Sequence, residues 1–193
     1  MALAEPFVEE NPLYAGLRLE RTPEPNALVI FGASGDLAHR KLIPALYNLA
    51  RDGLLPQRYS VVGVARTEMS DDAFRETVRG GVERHSRNGN FQQEIWDSFA
   101  QHLFYVSIPS YSDHAGFQRL RDRLHELDAQ NGTEGNRLFY LAVPPVHYAT
   151  IFRGLADNGL TASCNELEGW TRVLVEKPFG DDLLRCRSHR RER

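Results

Sequence analysis

The seven residues GASGDLA, at positions 32–38, have the types and the spacing of a loop that binds a diphosphate. Gly32 permits a tight turn, Gly35 lets the backbone approach a pyrophosphate, and the small side chain of Ala38 allows a helix to pack closely on a strand. The first N–H groups of that helix and its dipole attract the anion. The same pattern also occurs where the glycines serve turn geometry alone, and this alternative stays open.

The surroundings of the loop favour the phosphate-binding interpretation. An apolar run at 27–31 precedes it and a helix-forming segment follows it, which is the order that a phosphate cradle requires. Asp36 is expected to cap or orient the loop rather than to transfer protons. The remaining residues of the predicted dinucleotide cradle are Ala33, Ser34, Leu37 and His39.

Arg66 and Thr67 stand at the end of a second apolar run, where dinucleotide-binding folds distinguish one cofactor from another. An acidic residue there would bind the free ribose 2′-hydroxyl of NAD and repel a phosphate. A guanidinium instead clamps a 2′-phosphate with two hydrogen bonds, and the hydroxyl of Thr67 adds a third. NADP is therefore the predicted cofactor. Glu68 nearby keeps NAD open, and Arg66 as a solvated strand-end charge is the alternative.

Lys177 and Pro178, within EKPFG at 176–180, form a second chemical focus. A lysine that ends a buried parallel strand must direct its ammonium toward a ligand or out of the core. The prediction is a ligand-facing lysine, and the alternative is a Lys–Pro turn that simply leaves the strand.

Apolar runs alternate with amphipathic segments along the chain, which is typical of an α/β fold with a doubly wound, Rossmann-like parallel sheet. The predicted strands are residues 27–31, 59–64, 103–108, 138–143 and 173–175. The predicted helices are residues 37–51, 70–80, 91–101, 111–130 and 146–158, with surface turns at 87–90 and 129–135. Right-handed crossovers bring the carboxyl ends of parallel strands, and the chemical groups that follow them, to one edge.

The string FGASGDLAHRKLIPALYNL, which contains the glycine loop, closely resembles the N-terminal signature of glucose-6-phosphate dehydrogenases. Its continuation RDGLLP is similar to the same family, and so are VVGVART, RLFYLAVPP and VLVEKPFG further along the chain. These blocks occur in the family's order and at about its spacing, and they span residues 26–180.

The resemblance implies roles for four side chains, two of them already singled out above. The family uses an arginine at the position of Arg66, and its lysine at the position of Lys177 reaches the substrate and the nicotinamide end of the cofactor. Lys41 matches another family lysine near substrate and cofactor, although lysines on helix surfaces are common. Tyr148 stands where the family has a cofactor-contacting aromatic residue, and a core tyrosine is the alternative.

The resemblance also implies a reaction of the oxidative pentose phosphate pathway. Glucose 6-phosphate is oxidised at C1 to the 6-phosphogluconolactone, with the hydride passing to the nicotinamide and the proton to a His–Asp base. The family's base lies in an RIDHYLGK-like block, and none of the seven histidines has that setting: His39, His85, His102, His114, His125, His147 and His189. We therefore expect no catalytic residue and no metal ligand in these 193 residues, and no turnover by the chain alone.

The predicted organisation has three parts: an acidic N-terminal extension at 1–25, the NADP-binding domain at 26–180, and a basic tail at 181–193. The resembling enzymes continue into an α+β domain that carries the catalytic base and the surface for homo-oligomers. We expect a fragment whose sheet is incomplete at its C-terminus. Five arginines in the last nine residues indicate either an aberrant end or a basic arm for nucleic acid.

Composition excludes several classes. A net charge of −3 and a pI near 6.2 disfavour a dedicated nucleic-acid binder, and no apolar run reaches the roughly 18 residues of a membrane span. No signal or transit composition begins the chain, which predicts a cytoplasmic protein. Cys164 and Cys186 are too few for a disulfide framework and are not expected to form a regulatory pair.

Two other functions compete with the dehydrogenase interpretation. A short-chain dehydrogenase would be complete at this size, but none of the seven tyrosines has a lysine four residues later. A non-catalytic dinucleotide-binding or interaction module stays open, and it would bind NADP without requiring a base.

Overall fold

The computed structural model describes residues 23–86, 91–161 and 169–176. One parallel sheet of five strands lies within these ranges: β1 (Asn26–Phe31), β2 (Tyr59–Ala65), β3 (Leu103–Ser107), β4 (Arg137–Leu141) and β5 (Thr171–Val175). The spatial order is β3-β2-β1-β4-β5. Strands β2 and β3 lie on one side of β1, and β4 and β5 lie on its other side. This order confirms the predicted doubly wound sheet.

Helices cover both faces of the sheet. A short π-helical segment, Ala38–Leu42, leads into α1 (Ile43–Arg51), and the 3₁₀ turn Pro145–His147 leads into the last helix. The other helices are α2 (Asp71–His85), α3 (Gln93–Ala100), α4 (His114–Asn131) and α5 (Tyr148–Asp157). The first three pack on one face of the sheet, and α4 and α5 pack on the other. No helix of the described residues is long and apolar enough to cross a membrane.

The alternation of side chains along β1 explains why two cores form. Val29 and Phe31 are buried on the face that α4 and α5 cover, whereas Ile30 is buried on the opposite face. On α4, apolar residues recur every three or four positions and form one stripe toward the sheet: Phe117, Leu120, Leu124 and Leu127. This three-layer packing holds the carboxyl ends of the strands in a fixed arrangement.

Charged side chains close the outer edge of β3. Because residues 102 and 108 bond to β2, the odd-numbered residues of β3 direct their N–H and C=O groups outward. Three charged side chains bond these groups, in the pairs Arg75–Leu103 O at 3.1 Å, Asp71–Tyr105 N at 2.7 Å and Arg119–Ser107 O at 3.2 Å. An edge treated in this way is a poor template for another strand.

Two expectations about local structure are wrong. The segment 129–135 is not simply a surface turn: α4 continues to Asn131, and Thr133 behind it is fully buried. There the Thr133 hydroxyl donates to Asp128, which also pairs with the buried Arg137 at the start of β4. This polar anchor holds the turn inside because each buried polar group finds a partner.

The strand that precedes Lys177 is also not buried as expected. β5 lies at the other edge of the sheet, and Val173 and Leu174 are 40% and 42% exposed. Several expectations fall outside the described residues: the extension up to position 22, the turn at 87–90, both cysteines, and everything from Lys177 to the basic tail.

Candidate dinucleotide-binding site

The register of the sheet brings the predicted site segments to one edge. Phe31 of β1 is paired with Val64 of β2 and with Leu141 of β4, and Leu141 is in turn paired with Val175 of β5. The residues that follow these strands therefore leave the sheet at one level. They include Gly32, Arg66, Ala142 and Glu176. The reversal of strand order falls between β1 and β4, where open α/β sheets bind ligands.

Gly32 makes the turn out of β1 in a way that no other residue type allows. Its φ is +84°, and a Cβ at this position would lie 2.4 Å from the carbonyl oxygen of Ala142. Its N–H donates to the Val64 carbonyl at 2.8 Å, and the next N–H, of Ala33, donates to the same oxygen at 3.1 Å. The loop is thus fixed against both neighbouring strands.

Gly35 meets the structural requirement for close approach of a ligand. A Cβ there would lie 3.1 Å from the Gly32 carbonyl oxygen and would otherwise project into open space. The N–H groups of Ser34 and Asp36 take part in none of the loop's backbone hydrogen bonds among the described residues. A cradle that a single methyl group would enter, beside N–H groups at the start of a helix, fits the pyrophosphate of a dinucleotide.

The helix that follows packs tightly beneath the loop. Ala38 and Ala33 are fully buried in the core on that face, as the small residue of the motif predicts. Leu37 is half-buried and precedes the π-helical segment, at whose start no side chain makes a capping hydrogen bond. Asp36 instead lies 3.5 Å from Arg40, and both side chains are largely exposed. The expected capping by Asp36 is therefore not observed.

His39 contacts the backbone of the glycine loop. Burial lowers the pKa of its imidazole, against a hydrogen bond to the Ala33 backbone and the charge of Asp36, both of which raise it. The ring is therefore neutral at neutral pH. A Cβ on Gly81 of α2 would lie 2.5 Å from the His39 carbonyl oxygen, so α2 closely backs this turn.

Arg66 and Thr67 are exposed at the end of β2, as is Glu68. Within the described ranges, the Arg66 guanidinium forms no ion pair or hydrogen bond, so it is available to a ligand. Its charge lowers the pKa of the Tyr111 hydroxyl, against the larger effect of burial, which raises it. The segment therefore presents an unneutralised cation beside the glycine loop.

The carboxyl ends of β4 and β5 carry a second group of polar side chains. The hydroxyl of Tyr140 donates to the Glu176 carboxylate, and burial followed by this bond raises the pKa of Tyr140 to about 12. Tyr148 is buried in the core, and burial raises the pKa of its hydroxyl, which bonds the Glu176 backbone. Lys41 is exposed on the first helical segment, and Lys177 lies just beyond the described residues.

The decisive comparison concerns the chain as a whole. Residues 29–192 match the family model described as the NAD-binding domain of glucose-6-phosphate dehydrogenase. This chain belongs to the glucose-6-phosphate dehydrogenase family. The matched domain indicates a nicotinamide dinucleotide as the cofactor, in agreement with the glycine loop.

Individual members of the family are similar over most of the chain. It is 42% identical over 170 residues to glucose-6-phosphate 1-dehydrogenase from Chlamydia pneumoniae, covering 87% of this chain and 33% of that protein. It is 46% identical over 155 residues to the enzyme from Aggregatibacter actinomycetemcomitans, covering 80% of this chain and 30% of that protein. The chain thus spans about a third of the length of these relatives.

A solved structure shows the same fold. The chain superimposes with a TM-score of 0.74 and 32% identity on a glucose-6-phosphate dehydrogenase in complex with its substrate glucose-6-phosphate. The alignment covers 88% of this chain and 34% of that one.

The sequence did not indicate the two side chains of β3 that contact the Arg66–Thr67 segment. Tyr105 and Ser107 bond the carbonyl groups of Thr67 and Arg66. The sequence shows that Tyr105 and Ser107 lie on the same face of β3. It does not show which backbone groups of other segments their side chains contact.

Proposed function

We propose that this chain binds NADP as the nucleotide-binding part of a glucose-6-phosphate 1-dehydrogenase, which oxidises glucose 6-phosphate at C1. The observation that carries the proposal is the glycine loop at the strand-order reversal, with an open approach at Gly35. Family membership supports the substrate. The 2′-phosphate of NADP, rather than NAD, is supported by Arg66, whose guanidinium forms no ion pair with the part of the chain that the structure describes.

The chain's own residues divide the cofactor between them. The N–H groups at the start of the first helix bind the pyrophosphate, because the helix dipole and the free donors favour an anion there. Arg66 and Thr67 bind the 2′-phosphate, since a guanidinium and a hydroxyl match its oxygens. A 2′-hydroxyl, as in NAD, offers that guanidinium no charge to neutralise.

At the other end of the cofactor, a bound nicotinamide would supply the acceptor for the hydride that leaves C1 of the sugar. Lys177 and Lys41 orient the substrate and the nicotinamide end. The base that takes the hydroxyl proton is not among these 193 residues, because no histidine here stands in an Asp-His-Tyr sequence. The chain alone is therefore expected to bind NADP without turnover, because the general base is missing and the two lysines provide only part of the substrate positioning.

Thermal unfolding of the purified chain tests the proposal. At 100-fold excess over its dissociation constant, NADP is expected to stabilise the fold by about 2.7 kcal/mol, which raises Tm by about 5–10 °C in a chain of this size. NAD at the same concentration is the control and is expected to shift Tm less. A folded chain whose Tm neither nucleotide changes would overturn the proposal.

A further inference from the structure

Three consecutive carbonyl groups at the end of β2 are all held from β3. The Ala65 oxygen accepts from the backbone N–H of Ile108 at 2.9 Å. The Arg66 oxygen accepts from the Ser107 hydroxyl at 3.4 Å, and the Thr67 oxygen accepts from the Tyr105 hydroxyl at 2.5 Å. Because the sheet ladder ends at Ala65, the last two carbonyl groups depend on side chains.

Tyr105 is itself held firmly enough to fix another segment. Its side chain is only 7% exposed, and its ring packs against Phe74 with centroids 5.2 Å apart. Its backbone N–H donates to Asp71 at 2.7 Å, and the other oxygen of Asp71 pairs with Arg123 of α4 at 2.8 Å. The backbone and the ring of Tyr105 are thus both held in place.

The hydroxyl of Tyr105 is a donor over the whole neutral range. Burial raises its pKa above the ordinary value of 10.0, and the neighbouring Tyr111 raises it further. The Thr67 carbonyl accepts only, so the direction of the bond is fixed. The Tyr105 hydroxyl consequently orients the peptide plane between Thr67 and Glu68, and the Ser107 hydroxyl orients the plane between Arg66 and Thr67.

We infer that Tyr105, assisted by Ser107, is a positioning residue for cofactor specificity: it fixes the Arg66–Thr67 backbone so that both side chains meet a 2′-phosphate. This inference rests on the proposed function, because it assigns to Arg66 and Thr67 the role proposed above. Because the Tyr105 hydroxyl bonds the Thr67 carbonyl and acts through the Arg66–Thr67 segment, its removal is expected to weaken NADP selectively.

Tyr105→Phe is the test, because it removes one oxygen and keeps the packing against Phe74. The dissociation constants of NADP and NAD are measured by calorimetry for the unsubstituted chain and the variant. Loss of one hydrogen bond that orders the segment is expected to weaken NADP about fivefold and leave NAD unchanged. Tyr59→Phe is the matched control, since Tyr59 is a partly buried tyrosine at the opposite end of β2; neither constant is expected to change.

Arg66→Ala separates this inference from the proposed function. In that background the NADP constant is already raised, and a further Tyr105→Phe substitution is expected to weaken NADP less than it does in the unsubstituted chain, because Thr67 is then the one positioned side chain left to lose its contact. A Tyr105→Phe variant that weakens both cofactors equally, or neither, would overturn the positioning role while Arg66→Ala still weakens NADP. An Arg66→Ala variant that binds NADP normally would refute the 2′-phosphate assignment itself, and failure of the unsubstituted chain to bind either nucleotide would refute both.

Discussion

Replacing Gly35 by alanine tests the cofactor cradle without disturbing the turn that forms it. The backbone of Gly35 does not occupy the left-handed region, so alanine can adopt its conformation. The added Cβ would lie 3.1 Å from the Gly32 carbonyl oxygen, which must yield by a few tenths of an ångström, and it meets no other atom within 4 Å. We therefore expect the folded state of Gly35→Ala to survive.

The expected loss of binding follows from what the methyl group occupies. It projects into the space that a pyrophosphate needs in order to reach the free N–H groups at the start of the helix. A hydrogen bond to a charged group contributes about 1.5–3 kcal/mol. Losing one such bond weakens binding by about 10- to 100-fold, since each 1.4 kcal/mol is about tenfold. NAD and NADP have the same pyrophosphate, so both are expected to weaken equally.

The assay is a titration of each nucleotide into the folded variant, with Tm measured in parallel. Gly80→Ala is the matched control, because Gly80 lies within α2 and its Cβ would approach only the flexible Arg84 guanidinium, at 3.3 Å. This control is expected to gain about 1 kcal/mol of stability from helix propensity and to bind both nucleotides normally.

Gly32→Ala distinguishes the two glycines of the loop. With φ at +84° and a Cβ 2.4 Å from a backbone oxygen, alanine at position 32 forces the loop out of place, and Tm is expected to fall together with binding. If Gly35→Ala is folded and binds NAD and NADP as tightly as the unsubstituted chain, the cradle is not the pyrophosphate site and the reasoning fails.

Substitutions at two further aspartates test stability and self-association. Asp128→Asn is expected to destabilise the fold by about 3 kcal/mol, since it breaks an ion pair with the buried Arg137. Cofactor affinity is expected to stay unchanged because the pair lies at the amino end of β4. An unchanged Tm would contradict the expected loss of stability. Burial raises the pKa of Asp128, but its hydrogen bonds with Arg137 and Thr133, the Arg137 charge and the Gly135 N–H together hold the pKa below 3.8. The stability that the ionised carboxylate provides is therefore complete above the pKa of the unfolded chain and is lost as pH falls through the pKa of the folded chain. In a series of denaturant unfolding measurements at different pH, Asp128→Asn should lose less stability toward acid pH than the unsubstituted chain. Asp71→Ala removes the acceptor of the Tyr105 N–H and is expected to open the edge of β3 and increase self-association in sedimentation velocity. Asp122→Ala, which removes an exposed ion pair with Arg121 on α4, is the control that should stay unchanged.

Much of the fold was predictable because helices and strands follow regular periodic patterns of apolar residues in the local sequence. The strand positions agree with the apolar runs to within a few residues, and the order of strands and helices dictated parallel pairing and the ligand-binding edge. The glycine loop was also predictable, because only a glycine tolerates the backbone of Gly32. These features depend on local sequence and on rules that apply to every doubly wound sheet.

The remaining features depend on contacts between distant residues, which no local pattern encodes. In the sequence Arg137 is the polar first residue of a strand. In the structure it is only 6% exposed, because its guanidinium pairs with Asp128 near the end of α4. The exposure of Val173 and Leu174 could not be read from an apolar run, since an edge strand and a central one have similar composition. Likewise Tyr105 reads as a core residue until the position of Thr67 is known.

The closed edge of β3 and the cofactor segment share one set of side chains, and this links stability to specificity. Asp71 accepts the outward N–H of Tyr105 and pairs with Arg123 on the opposite side of the sheet. Tyr105 in turn holds the Thr67 carbonyl. A change at Arg123 can therefore affect the Arg66–Thr67 segment through Asp71 and Tyr105. Because hydrogen-bonded neighbours are not energetically independent, substitutions along this path should affect NADP more than NAD even where they leave the loop at Gly35 intact.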